Sequence, residues 1–513
     1  MDAISLSIFS NQMNSICQEM GAVLQRAAFS PNIKDRLDFS CAIFDAQGEL
    51  CAQAAHIPVH LGSMAYAMRD IVNTSDWHPG DALIVNDPYL GGTHLPDVTL
   101  ISPVFNKDRL VGFVVNRAHH ADIGANSPGS MPISETLEEE GLIIAPKKLC
   151  QRGKLDDAFF DEILSHMADR AFASGDFYAQ LSANKTGVER LHALLQHLGE
   201  TAFQEGLNAL NDYGARMARA GMQQLPDGEY HFTDVMDDDG MGNEDIHIQV
   251  CIRVADGQVE VDFTGTSEQV RGNINAPLSV AAAAVFYVFR CLMPADTPAC
   301  AGTFRHISLS APEGCLLNAR RPAAVAAGNV ETSTRIVDAV LGALAQVMPE
   351  RIPAASHGSM NNIAMGGSAN GKTWNYYETI GGGMGAGAQN EGLSAVQTHM
   401  TNTLNTPIES LEMHFPLRVR RYEVRQGSGG CGFNQGGNGL VREFEFLEDT
   451  QVTLLTERRR HAPWGLAEGE SAGKGKNLLN NKELAPKVSL ETKRGDRLSI
   501  FTPGGGGWGK PGN

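Results

Sequence analysis

At 513 residues the chain is several times the size of a typical domain, long enough to divide into lobes that each bury a core. Its 42% hydrophobic and 19% charged residues are ordinary for a globular protein, so no disulfide framework is needed to hold it. A formal net charge of −18 excludes non-specific binding to nucleic acid or an anionic membrane, since both require basic patches.

The N-terminal stretch lacks the basic segment and uninterrupted apolar run of a signal peptide. Its residues Ile4, Ile8, Ile16, Met20, Val23 and Leu24 recur at helical spacing, with Asp2 as a cap. DFSCAIFDAQGELCAQ reads as a hairpin turning at Gln47-Gly48, residues 61–72 as a helix, and ALIVNDP as a buried strand entering a loop. VTLISPVF and LVGFVVNRA form a strand pair joined by the polar residues 106–109. Residues 156–224 are helical, with Leu191, Leu194, Leu195 and Leu198 at spacings of three and four. Beyond Pro226-Asp227-Gly228 the chain is β-rich, as in the alternation of Val259, Val261 and Phe263, with helices expected over 279–292 and 335–347. The last third carries GGGMGAGA, GSGGCGFNQGGNG and PGGGGWG, where glycine permits positive φ in tight connections and close approach of neighbouring groups.

The expected fold is therefore α+β and multi-lobed. It has a mixed α/β metal-site region (1–155), a helical connector (156–225) and a β-rich, glycine-rich lobe with a few helices (226–513). No apolar run reaches the roughly 20 residues a membrane span needs. The nine cysteines are scattered, odd in number and without zinc-ribbon or redox spacing, as for buried thiols in a reducing compartment. A cytoplasmic location follows.

Two runs carry the chemistry. NDPYLGGTHLPDV and RAHHADIG place His94, Asp97 and His119 where they can close on one divalent ion. Gly91, Gly92 and Pro96 make the first run a loop, and the hairpin of the two adjacent strands returns His119 to that loop. Two imidazoles and one carboxylate leave coordination positions open, which suits catalysis with Mn, Zn or Fe. Asp87 and Asp122, in the same runs and beside the ligand positions, are candidates to orient a water or take its proton. On spacing alone the alternative is a pair of solvated histidines beside a capping aspartate, because H-x-x-D recurs by chance.

NDPYLGGTHLPDVTLISPVF, AHHADIG and PGSMP, continued by VDFTGTSEQVRGNIN, GNVETSTR, YYETIGGGMGAG and ERRRHAPWGL, closely resemble the hydantoinase B/oxoprolinase family along essentially the whole chain. That family includes hydantoinase B subunits and the C-terminal half of 5-oxoprolinases and is related to the large subunits of ketone carboxylases. The resemblance implies a metal on His94, Asp97 and His119, ring opening of a cyclic amide such as a hydantoin or oxoproline, and a hetero-oligomer in which ATP is bound by an A-type partner chain. It also implies two alternatives, a component of a ketone carboxylase and a non-catalytic scaffold. The ligand set itself also admits a non-haem iron oxygenase. One departure is Gly124-Ala125, where the family often has two glycines.

GGSANGKT satisfies the Walker A pattern, but WNYYETIGGG follows it and makes a poor helix. Asn370-Gly371 is a hairpin signal, so a turn is expected and no nucleotide site in this chain. His56 and His60, His357 with Asn361 and Asn362, Glu331 with Arg335, and Tyr377 with Glu378 are further polar clusters. Among these Glu378, before a glycine run, is the preferred candidate for contacting substrate or moving a proton. Arg458-Arg459-Arg460 with His461 reads as a solvated or salt-bridged face rather than an anion site.

Overall fold

The computed structural model describes residues 1–54, 57–369 and 372–512; His56, Asn370 and Gly371 lie outside them. Seven antiparallel strands form the N-terminal sheet in the order Leu50–Ala54, Phe39–Asp45, Arg109–His119, Asp97–Asn106, Ala82–Val85, Lys147–Gln151, Lys154–Leu155. Both expected hairpins are present, and in the longer one Asp97 is the cross-strand partner of His119. Successive side chains leave opposite faces of a strand. Phe113 and Val115 thus pack with Met64 and Met68 of the helix Pro58–Val72, while Val114 and Ala118 pack with Met13 and Met20 of the helix Ala3–Ala27. With both faces covered, the strands are apolar runs rather than alternating ones. Asp2 caps the first helix, its carboxylate accepting from Ser5 N at 2.8 Å.

Three helices, Asp157–Ser165, Arg170–Leu198 and Glu200–Met222, occupy the expected helical stretch. The middle one lies on the N-terminal sheet and sends Gln180 and Asn184 into it to bond Asn116. A second sheet, in the order Ile307–Ser310, Gln258–Asp262, Glu244–Ala255, Gly228–Asp238, shares a core with the helices Leu278–Leu292 and Ser333–Ala345. Every residue of Ser333–Ala345 is buried. Two further sheets, one through Asn362–Ala369 and one through Leu440–Phe446, meet over Met365, Tyr376, Phe444, Leu454 and Leu498. Among the described residues no helix is long and apolar enough to cross a membrane.

The Walker-like stretch is not a strand-to-helix loop. Asn362–Ala369 is followed by the antiparallel strand Lys372–Glu378, with Ala369 opposite Lys372. The arginine run is salt-bridged, and its first member is buried. Arg458 pairs with Asp234 and Asp338 at 2.9 and 2.6 Å, and only Arg460 reaches the surface acids Glu244 and Asp245.

Of the two uses of glycine expected in these runs, close approach is the common one and positive φ in tight connections the rare one. Of their glycines only Gly427 and Gly509 have positive φ. The others lie in extended segments crossed by backbone hydrogen bonds, such as Gly437 N to Met384 O, Gly505 N to Gly437 O and Gly430 N to Gly505 O. A Cβ at Gly505 would sit 2.0 Å from Met384 O, and one at Gly436 1.8 Å from Gly505 O. Close approach of backbones, not turn geometry, is what demands glycine here. Two positions in one run test this. Gly385→Ala, whose Cβ would meet Ala354 O at 1.8 Å, should cost about 3 kcal/mol or more by urea unfolding. Gly387→Ala, with nothing within 4 Å, should leave the midpoint within experimental scatter.

Candidate metal centre

The loop that carries His94 is fixed by its own backbone and by Asn86. Asp87 caps the short helical turn Pro88–Leu90, and Gly91 follows with φ 110°, a conformation L side chains rarely adopt. A Cβ on Gly92 would lie 2.3 Å from Asn86 O. The Asn86 side chain ties the loop down, donating to Leu95 O and Leu142 O and accepting from Ile144 N. Asp97 then opens one strand and His119 closes its neighbour, so the register delivers both to one face.

His94, Asp97 and His119 converge, with one ligand atom from each lying within 4.8 Å of the others. They are 0%, 0% and 2% exposed. Asp97 Oδ2 accepts from Thr93 Oγ1 at 2.6 Å and Asn329 Nδ2 at 3.2 Å, and His60 Nε2 lies 3.2 Å away. Asp97 Oδ1, His94 Nε2 and His119 Nε2 have no hydrogen-bond partner, and His94 Nε2 lies 3.3 Å from Asp97 Oδ2. Buried polar atoms are nearly always paired, so three orphans facing one another are a donor set that fits a cation.

Protonation agrees. Burial acts to raise Asp97, but His60 and His94 outweigh it and hold the carboxyl well below its ordinary range. Burial, assisted by the His94 charge, holds His119 well below the usual histidine range and hence neutral. His94 Nδ1 lies 3.2 Å from Ala326 O, a carbonyl that only accepts, so Nδ1 carries a proton. Burial acts to lower the His94 ring, but Asp97 outweighs it and raises it above the usual histidine range, so Nε2 offers a lone pair only once its own proton is lost. His119 Nδ1 lies 3.2 Å from Asn32 Nδ2, a donor, which leaves the ring proton on Nε2. Turning the Asn32 carboxamide over makes its oxygen the acceptor and frees Nε2 for a cation. Arg36 Nη1, 3.3 Å from Asn32 Oδ1, favours the first arrangement. The Tyr377 ring stacks on His119 at 4.6 Å and 8°.

The other candidates lie elsewhere. Asp87 accepts from Tyr89 N and pairs with Arg321. Asp122 accepts from Gly124 N and Ala168 N, both at 2.8 Å, stapling two loops. Glu378 is buried against Arg442 at 3.4 Å, on the face of its strand opposite Tyr377. Asn32, Asn329 and Glu140, which sequence alone did not single out, do reach the site or its supports. Asn32 lies 87 positions before His119, so no local spacing points to it. A second grouping, Glu229, His231 and Cys251, is largely exposed, and Arg253 pairs with its glutamate.

Glu140 accepts from Ser134 Oγ, Val325 N and Ala326 N, each at 2.9 Å, behind His94. Burial pushes its carboxyl up to about 7. A raised folded pKa contributes stability below the unfolded value that is lost as pH rises through the folded one. Metal-stripped Glu140→Gln should therefore gain stability over the native chain by about 1.4 kcal/mol per unit as pH rises from roughly 5 to 7. A pH-independent difference in urea unfolding would contradict this. Separately, Asn32→Asp supplies an oxygen that accepts from both Arg36 and His119 Nδ1. It should tighten divalent-metal binding roughly tenfold by calorimetric titration, and unchanged or weaker binding would refute the role given to Asn32.

Residues 2–511 match the family described as hydantoinase B/oxoprolinase. An uncharacterised protein of Methanocaldococcus jannaschii is 40% identical over 100% of this chain and 91% of its own length. 5-oxoprolinase 1 of Arabidopsis thaliana is 38% identical over 99% of this chain, which spans only 42% of that protein. The B subunit of a putative D-/L-hydantoinase from a Pseudomonas species is 32% identical over 100% of this chain and 90% of its own. Among solved structures, the ATP-dependent caprolactamase from Pseudomonas jessenii superposes with a TM-score of 0.93 at 27% identity, covering 99% of this chain and 91% of that one. Acetone carboxylase shares the fold, with a TM-score of 0.89 at 17% identity over 99% of this chain and 76% of its own. With a converging His-His-Asp set inside a match that runs almost end to end, the chain belongs to the hydantoinase B/oxoprolinase family.

Proposed function

We propose that the chain is the metal-bearing, hydrolytic component of an ATP-dependent amidohydrolase that opens a cyclic amide, working with an A-type chain that binds ATP. The observation that carries this reading is the buried convergence of His94, Asp97 and His119, in which Asp97 Oδ1, His94 Nε2 and His119 Nε2 make no hydrogen bond to the protein. A divalent cation held by these residues would supply Lewis acidity, polarising a carbonyl oxygen and acidifying water. The chain's own residues prepare that site. Thr93, His60 and Asn329 fix Asp97 through one oxygen and leave the other free. Burial of all three ligands keeps bulk water from competing for the donors.

Amide resonance makes a ring carbonyl a poor electrophile, and phosphorylation of its oxygen by the ATP-binding chain would relieve that. Three lines support the division of labour. One relative is named as the B component of a hydantoinase, the plant 5-oxoprolinase is more than twice the length matched here, and the caprolactamase is named ATP-dependent. Hydrolysis is favoured over carboxylation because relatives named as oxoprolinase or hydantoinase are 32–38% identical, whereas acetone carboxylase shares the fold at 17%.

Reconstitution with an A-type partner should give ATP hydrolysis coupled to ring opening when hydantoins, 5-oxoproline and lactams are screened. His94→Ala should lose the bound metal and lower turnover by roughly 100-fold or more in parallel. A bicarbonate requirement would replace hydrolysis by carboxylation. Full turnover in a metal-free His94→Ala complex would reduce the chain to a scaffold.

A further inference from the structure

We propose that the turn formed by residues 326–331 is the positioning element of the metal centre, reaching all three ligand side chains from outside the sheet that carries them. The inference rests on the metal reading of His94, Asp97 and His119 given above.

Two of the ligands touch this turn directly, and the third is reached through a relay. Ala326 O takes His94 Nδ1 at 3.2 Å, which fixes the tautomer. Asn329 Nδ2 donates to Asp97 Oδ2 at 3.2 Å. Glu331 acts at a distance. Its Oε1 accepts from Met360 N at 3.0 Å and from Asn362 Nδ2 at 2.8 Å. Asn362 Oδ1 in turn accepts from the Tyr377 hydroxyl at 2.5 Å, and that phenol ring lies flat on His119. All four residues of this chain of contacts are at most 2% exposed, so no water competes for the bonds.

The turn is built to hold its place. Residues Gly328–Thr332 form a single π-helical turn ahead of the helix Ser333–Ala345, a distortion that recurs at functional sites. Ala327 N donates to Asn273 O at 3.0 Å, and Ser333 Oγ donates back to Asn329 O at 2.6 Å. A Cβ on Gly328 would lie 1.9 Å from Asn275 O, so the turn sits hard against that segment. Ala326 N is gripped by Glu140 Oε1 at 2.9 Å. Glu331, Asn362 and Tyr377 are thus positioning residues, and the phenol is the last link to His119.

The test is Mn²⁺ binding by the full, chelator-stripped chain, followed through loss of the free-ion paramagnetic resonance signal. Asn362→Ala and Tyr377→Phe should each weaken binding by roughly tenfold, the range for supports behind a metal ligand. The double variant should be no weaker than either single one, because both act through the same phenol. Glu331→Gln should stay within about twofold, since its amide oxygen still accepts from Asn362 and Met360. Additive losses in the double variant, a Glu331→Gln loss as large as that of Asn362→Ala, or native affinity throughout would each overturn the proposal. Those outcomes leave the metal reading standing. Failure of the native chain to take up either Mn²⁺ or Zn²⁺ would instead remove the metal reading, and this inference with it.

Discussion

Asp97 is an ionised carboxylate with no exposure to solvent, and an unpaired charge in that position would cost several kcal/mol. One of its oxygens is answered by Thr93, His60 and Asn329, with His94 Nε2 also 3.3 Å from it, while the other has no hydrogen-bond partner. A cation held there, as proposed above, would complete the arrangement. Much of the surrounding structure can be derived from that requirement. The hairpin register must bring Asp97 opposite His119, since a slip of one residue would turn one of them to the other face. The His94 loop must turn sharply and press on Asn86, which calls for Gly91 and Gly92.

The supports for this carboxylate come from far along the chain. Asn329 and Ala326 precede the buried helix Ser333–Ala345, and that helix is fastened at its far side by a network of buried charges. Arg335 meets Asp234 and Glu457, Asp338 meets Arg458, and Glu457 also meets Lys487 at 2.5 Å. Removing one member would leave an uncompensated buried charge, so the network favours one arrangement of the helix over nearby alternatives. The metal ligands on the first sheet and the paired charges behind the helix are therefore linked by one rigid element.

The crossing glycine segments complete that frame. Extended segments around residues 383, 430, 437 and 505 bond to one another at backbone distances that leave no space for a side chain. His357, whose N–H donates to Gly383 O, lies at their edge, and Ala386 N donates to Gly506 O. Satisfying buried backbone groups in this way lets the C-terminal third stay irregular without losing hydrogen bonds.

Apolar periodicity and turn chemistry are local, and they were legible in the residues alone. The hairpins, the first helix with its Asp2 cap, the helical stretch, the false Walker motif and the His-His-Asp spacing all follow from residues close in sequence. The glycine runs were half legible: composition announced glycine's freedom, but only the crossing of segments some 50 to 120 positions apart shows that close approach is the reason. Tyr377 and Glu378 show the same limit, for adjacent residues on a strand face opposite ways and only packing decides which face meets His119. Sequence thus determined the ligand types, their spacing and the elements that carry them. Tertiary structure decided which oxygen of Asp97 is free, which tautomers the histidines hold and which distant residues support them, because each depends on partners more than 30 residues away, such as Asn32, Ala326 and Asn329.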